Sequence, residues 1–146
     1  MIHDRNWIAA RIPHQGSMCL LDGVLACDAD HIVCTATSHR DPANPLRRAG
    51  TLGITNGIEY AAQAMAAHGA SLHPNAPGRS GYLTSARDVA WQVPHLHDIA
   101  GPLTVRAQRQ SGDDNTVLYA FSLHAGERVL MTGRTTVILN ADNHAF

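Results

Sequence analysis

Apolar and polar positions alternate with a period of two through the C-terminal third of the chain. Val117, Tyr119, Phe121 and Leu123 form the cleanest run, each separated from the next by one residue. Leu103, Val105 and Ala107 alternate with Thr104, Arg106 and Gln108, and Val129, Met131, Gly133, Thr135, Val137 and Leu139 make a third run. Gly112-Asp113-Asp114-Asn115 and Ala125-Gly126-Glu127 separate them, and turn residues at such short spacing predict antiparallel neighbours. A further strand is expected from Gly81 to Val93, followed by a connection over His95 to Gly101. In the middle of the chain the period lengthens. Ile58, Ala61, Ala62, Met65, Gly69 and Leu72 recur at steps of three and four, which predicts one long helix ending near His73-Pro74. Its many Ala and Gly residues let neighbours approach closely, so it is expected to be wrapped by other structure.

The N-terminal part is less regular. Asp4 to Ala10 reads as a short helix carrying Trp7 and Ile8 inward, stopped before Pro13, with a turn over Ile12–Gly16. A strand from Met18 to Cys27 and another from His31 to Ser38 flank a hairpin turn at Asp28-Ala29-Asp30. Loops follow by composition at Arg40 to Gly53, with Pro42 and Pro45, and at Asn75-Ala76-Pro77-Gly78. Two strands, a long helix and four strands predict an α+β arrangement, one helix against a curved antiparallel sheet, in a single domain over 1–146. The helix surface left uncovered by such a sheet is often completed by a second copy.

Composition narrows the function classes. The chain has 146 residues, enough for a core without disulfide or metal staples, and a formal charge of −1. All 11 basic residues are arginine, aromatics are few, and nothing favours a nucleic-acid partner. Cys19, Cys27 and Cys34 form no CxxC pair and read as small buried residues in a reducing compartment. The start lacks the apolar stretch of a signal peptide and no run is long enough to span a bilayer, so a soluble cytoplasmic protein is expected.

Candidate chemistry gathers around the helix start. Glu59 is one of few ionisable groups on an apolar element, and His39 lies in the connection before it. A carboxyl and a loop imidazole are suited to share a proton-transfer task. Asn56-x-x-Glu59 equally fits a capping box, with Asn56 as the cap. His14 reads as structural or as a support to the site. His95 and His97 are two potential metal ligands on one strand face with no evident third, and a solvated loop is the simpler reading. His68 and His73 read as surface or helix-end groups. Gln63, one turn after Glu59, either orients the site or satisfies nearby backbone. Arg40, Arg47, Arg48, Arg79 and Arg87 either line an entrance or are scattered in solvent.

The stretches Ile12-Pro13-His14-Gln15-Gly16-Ser17-Met18-Cys19-Leu20-Leu21-Asp22, His39 with its Pro-containing loop, and Gly57-Ile58-Glu59-Tyr60-Ala61-Ala62-Gln63-Ala64-Met65 carry a family resemblance. Together they resemble the hot-dog 3-hydroxyacyl-[acyl-carrier-protein] dehydratases, most of all those of the aryl-polyene pathway, over nearly the whole chain. The resemblance implies a hot-dog fold, a catalytic pair at His39 and Glu59, and formation of trans-2-enoyl thioesters in aryl-polyene or fatty-acid-like biosynthesis. It implies an acyl carrier protein as partner, a homodimer or a heterodimer with another hot-dog protein, and no metal or cofactor. The loop before the helix is longer here than in the fatty-acid enzymes. The glycine offering its N–H to the thioester oxygen matches Gly53 first and Gly57 second.

The reaction needs a base at C2, a proton for the departing hydroxyl and a donor at the thioester oxygen. A neutral imidazole suits the first, a carboxyl kept protonated by an apolar setting suits the second, and N–H groups at a helix start suit the third. Gln63 is expected beside the substrate. Two rivals remain open: a hot-dog thioesterase, in which the helix carboxylate activates water, and a non-catalytic subunit that binds acyl chains or completes a heterodimer.

Overall fold

The alternating runs build a seven-stranded antiparallel sheet, seen in a computed structural model that describes residues 1–74, 80–113 and 115–140. The strands are β1 (His3–Asp4), β2 (Gly23–Cys27), β3 (His31–Ala36), β4 (Ser80–Trp91), β5 (Leu103–Gly112), β6 (Thr116–Ala125) and β7 (Arg128–Asn140). They lie in the order β1-β2-β3-β5-β6-β7-β4. Two α-helices accompany them, α1 (Arg5–Ala9) and α2 (Gly57–Leu72). The expected loop at Asn75–Gly78, together with Arg79 and Asp114, falls outside the described residues.

Strand β6 shows why the period-two pattern carries the fold. Val117, Tyr119, Phe121 and Leu123 are all buried, and they sit opposite Val137, Thr135, Gly133 and Met131 of β7. On the other side Leu123 and Phe121 face Val105 and Ala107 of β5. This inner face, continued by Ile32 and Cys34 of β3, packs against α2. The small strand β1, which pairs His3 with Val24 and Asp4 with Gly23, has no alternation long enough to predict it. Asp4 caps α1 by accepting from the Trp7 N–H at 2.9 Å. Ile8 is buried as expected, whereas Trp7 is only half-buried, stacked on His3 with ring centroids 3.8 Å apart.

Three expectations are corrected. The strand predicted from Met18 begins only at Gly23. The preceding residues are held by a side chain instead of a ladder: Gln63 Nε2 donates to the Met18 carbonyl at 2.7 Å and Gln63 Oε1 accepts from the Leu20 N–H at 2.9 Å. The helix is turned relative to its most apolar stripe. Its buried face is Gly57, Tyr60, Ala61, Gln63, Ala64, Met65, Ala67 and His68, while Ile58, Ala62, Gly69 and Leu72 are half-buried. Polar tips enter the core because each finds a partner: Tyr60 with Ser38 at 2.8 Å, and His68 with Tyr119 at 2.7 Å and the Asp28 carbonyl at 2.8 Å. His68 is therefore an internal tie and no surface group. His73 is exposed at the C-terminal cap.

Gly57 lets the start of α2 lie close against the sheet. A Cβ there would lie 2.9 Å from both Leu123 Cδ2 and Met131 Sδ, two fully buried side chains. Gly57→Ala is expected to cost about 1–3 kcal/mol through overpacking, read as a lower urea midpoint with an unchanged slope. A neutral result would mean that the helix start can lift off the sheet freely.

Candidate active site

His39 sits in a single 3₁₀ turn, Ser38–Arg40, directly after β3, and is completely buried. Its Nε2 lies 3.0 Å from the Ile99 carbonyl. A carbonyl only accepts, so Nε2 carries the proton and Nδ1 holds a lone pair. That Nδ1 is closed off from solvent and has no hydrogen-bond partner among the described residues. Burial pushes the imidazole below its ordinary pKa, with the nearby Arg40 adding in the same direction, so the ring is neutral near pH 7.

The turn is braced from both sides. Arg47 donates from Nη2 to the His39 carbonyl at 3.0 Å and from Nη1 to the Gly50 carbonyl at 2.9 Å. The Pro94–Ile99 segment is tied to the approach to α2 by the Ile54 N–H to the Pro94 carbonyl and the Leu96 N–H to the Leu52 carbonyl. The same segment thus positions both the histidine's acceptor and the helix start.

Glu59 lies in the first turn of α2 and does not cap it. Asn56 is itself helical, and its amide donates to the Gly53 carbonyl at 3.1 Å, so the capping-box reading fails. Glu59 Oε1 instead lies 2.9 Å from His14 Nε2 and 3.3 Å from Gln63 Nε2. The hydrogen bond from His14 is the largest influence on the carboxyl, and it holds the group below the usual carboxylate range against the effect of burial. Desolvation was expected to favour the acid form; in this chain the imidazole outweighs it and Glu59 is ionised. Gln63 satisfies backbone by fastening the Met18–Leu20 strap and also touches Glu59. Within one chain the structure thus brings Glu59 to His14 and His39 to Ile99; neither Glu59 nor His39 bonds the other. The partnership of His14 escaped the sequence reading, although the Pro13-His14 turn that places it was a visible signal.

The glycines separate by their N–H groups. Gly57 donates to the Ile54 and Thr55 carbonyls. Gly53 forms a bridge with His95 in which Ile54 and Leu96 supply the donors, leaving its own N–H without a partner among the described residues. His95, His97 and Asp98 offer donor atoms within 4.8 Å of one another. However, His97 Nδ1 accepts from the Leu52 N–H at 3.0 Å, which puts the neutral ring's proton on Nε2. A metal-binding imidazole needs the reverse, an N–H given away on the far side and a bare nitrogen toward the ion. Binding would cost the Leu52 bond, so His97 is a backbone tie instead of a ligand or a solvated loop residue. Of the arginines, Arg47 is spent on backbone, while Arg40, Arg48 and Arg87 are exposed.

His39 and His68 both have pKa values lowered mainly by burial, which makes folding sensitive to acid. The unfolded histidines take up protons first, near their ordinary value of about 6.5, so this stability is complete above that pH and is lost as pH falls toward the folded values. The denaturation midpoint should therefore drop between about pH 7.5 and pH 5.5. A flat midpoint over that range would show that both rings titrate alike in the folded and unfolded chain.

These features define a class: a hot-dog fold whose helix start carries a carboxylate–imidazole contact, with a second, neutral histidine buried in the preceding turn. Solved structures of the same fold include the dehydratase heterocomplex ApeI:P of Xenorhabdus doucetiae, at 23% identity with a TM-score of 0.82, covering 94% of this chain and 93% of that one. A hypothetical thioesterase with coenzyme A from Streptococcus pneumoniae TIGR4 has 14% identity and a TM-score of 0.58, covering 80% of this chain and 84% of that one. The PaaI protein from the phenylacetic acid degradation operon of Escherichia coli has 15% identity and a TM-score of 0.57, covering 79% and 80%. No curated protein matches the chain. The family is settled by sequence: residues 7–146 match the ApeP-like family, described as ApeP dehydratase, and the chain belongs to it. It is a dehydratase.

Proposed function

We propose that the chain dehydrates 3-hydroxyacyl thioesters carried on an acyl carrier protein, giving trans-2-enoyl products in aryl-polyene or fatty-acid-like biosynthesis in the cytoplasm. The observation that carries this reading is the state of His39, a neutral imidazole whose Nε2 is spent on Ile99 and whose Nδ1 lone pair has no partner. Such a nitrogen is fitted to remove the C2 proton. Glu59 serves the hydroxyl side, and the unpartnered Gly53 N–H is the candidate donor to the thioester oxygen.

Because His39 and Glu59 each bond other groups inside one chain, the working pair is assigned across a subunit interface. Strand β4 favours such an assembly: it is a 12-residue strand at the end of the sheet order, paired with β7, with Trp91 half exposed at its end. The partner is a second copy or another hot-dog protein. The Xenorhabdus structure named above, described as a heterocomplex, suits the latter. The acyl chain would lie along the half-buried strip Ile58, Ala62, Ala66 and Gly69 beside Glu59. Exposed Arg40, Arg48 and Arg87 suit an acidic carrier and its phosphopantetheine phosphate.

The test is turnover of a 3-hydroxyacyl carrier-protein thioester, followed by enoyl absorbance and mass. Enoyl thioester with no free thiol is expected. Free acid with released thiol would replace this reading by a thioesterase. A folded, assembled protein that turns nothing over would leave it a binding subunit.

A further inference from the structure

Two imidazole nitrogens in the described chain are closed off from solvent with no hydrogen-bond partner, Nδ1 of His39 and Nδ1 of His14. The two rings are built alike. Each is anchored through Nε2, His39 on a carbonyl at 3.0 Å and His14 on the Glu59 carboxylate at 2.9 Å, and each keeps Nδ1 uncommitted. A buried polar atom without a partner is costly; Arg47 Nε is the third among the described residues, and at a reaction site such an atom marks the place a substrate atom fills. The dehydratase reading accounts for one of the two imidazole atoms as the base. It gives the other no task.

We propose that Nδ1 of His14 delivers the proton that leaves with the substrate's hydroxyl, with Glu59 as the carboxylate that orients the ring and balances its charge. This rests on the dehydratase reading and moves the acid from Glu59 to its neighbour. An ionised carboxylate is a poor proton donor, and Glu59 is held ionised by the contact with His14 itself. The same carboxylate is well placed to hold an imidazolium, the arrangement that fixes tautomer and orientation in carboxylate–histidine catalytic groups. In the forward step His39 takes the C2 proton, the C2–H electron pair becomes the C2=C3 bond, and the C3–O bond breaks. His14 enters the step as an imidazolium with its Nε2–H on Glu59, and the departing oxygen takes its Nδ1 proton and leaves as water. His39 ends protonated and His14 neutral, and exchange with solvent restores both. Among the described residues the groups facing Glu59 are His14 from the Pro13 turn and Gln63 from its own helix, with no other ionisable side chain contributing to its acidity.

The experiment compares His14→Ala, His14→Gln, Glu59→Ala and the double alanine variant in the assembled enzyme, with ¹⁵N spectra of the His14 ring. Gln places an amide near the former Nε2 and keeps a hydrogen bond to Glu59, but has no proton to give from the Nδ1 position. Loss of about 10²-fold or more in kcat in both His14 variants, with the double variant no worse than the worse single one, is expected for groups acting as a unit. The alkaline limb of the kcat profile should move to lower pH in Glu59→Ala. In the active pH range the ring spectrum should show both nitrogens protonated, and above the alkaline limb an Nε2–H tautomer that becomes mixed in Glu59→Ala. Near-normal turnover in His14→Gln would overturn the proposal by reducing His14 to a hydrogen-bonding support. A tautomer unchanged in Glu59→Ala would overturn it by dissolving the couple. Wild-type protein that forms no enoyl product sinks the dehydratase reading instead, and the ring spectrum still decides whether the couple exists.

Discussion

Replacing His39 by alanine should lower enoyl formation by about 10²–10⁴-fold, equivalent to about 3–5 kcal/mol in the barrier, while leaving the protein folded. The size follows from how much is arranged around one nitrogen. Burial keeps the ring neutral, and Ile99 takes the only N–H, so the remaining lone pair is available as base. Arg47 holds the backbone of the turn, and the Pro94–Ile99 segment, which supplies the Ile99 acceptor, is pinned to Leu52 and Ile54 ahead of α2. His39→Gln is the informative companion. Its amide can retain a bond near Ile99 but offers no base, so it should fold better than the alanine variant and be equally inactive. Substrate binding measured directly should change little, because the loss falls on a proton transfer and not on acyl contacts. A fall of less than about tenfold in kcat for both variants would remove His39 from the chemistry.

The strands and the hot-dog order were legible because a half-buried strand repeats every two residues: Val117 to Leu123 has no equally good alternative. Where legibility failed, a polar group had been satisfied by a residue distant in sequence. Met18 to Leu21 is apolar enough to read as strand, yet its backbone is paired with a glutamine more than forty positions away. The helix face was misjudged for a related reason. Hydrophobicity counts Tyr60, Gln63 and His68 against burial, but each carries its polar atom to a partner. Asn56 and Glu59 had the spacing of a capping box, and spacing cannot register that the His14 ring arrives at Glu59 from the distant Pro13 turn. The positions His39, Glu59, Gly53, Gly57 and Gln63 could be picked out from residue type and resemblance; their partners depend on the packed chain.

Gln63→Leu should destabilise the fold by about 2–5 kcal/mol and reduce activity further than the remaining folded fraction explains. The side chain is fully buried, and leucine nearly matches its volume, so lost packing is a minor part of the cost. What is lost is the pairing of two backbone groups, the buried Leu20 N–H and the part-buried Met18 carbonyl, left unsatisfied at up to about 1–3 kcal/mol each. Gln63→Glu sharpens the point. One carboxylate oxygen can still accept from Leu20, but the other would meet the Met18 carbonyl and the ionised Glu59, all acceptors, so this variant should be at least as unstable as Gln63→Leu near pH 7 and recover partly when acid restores an O–H. Denaturation midpoints at two pH values separate the variants. The activity deficit has its own cause, since the strap tied by Gln63 follows directly on the turn that holds His14 against Glu59. If Gln63→Leu costs less than about 0.5 kcal/mol, the buried side chains of Cys19, Leu20 and Leu21 hold the strap without it, and the glutamine's contact with Glu59 at 3.3 Å becomes the reason for its place in the helix.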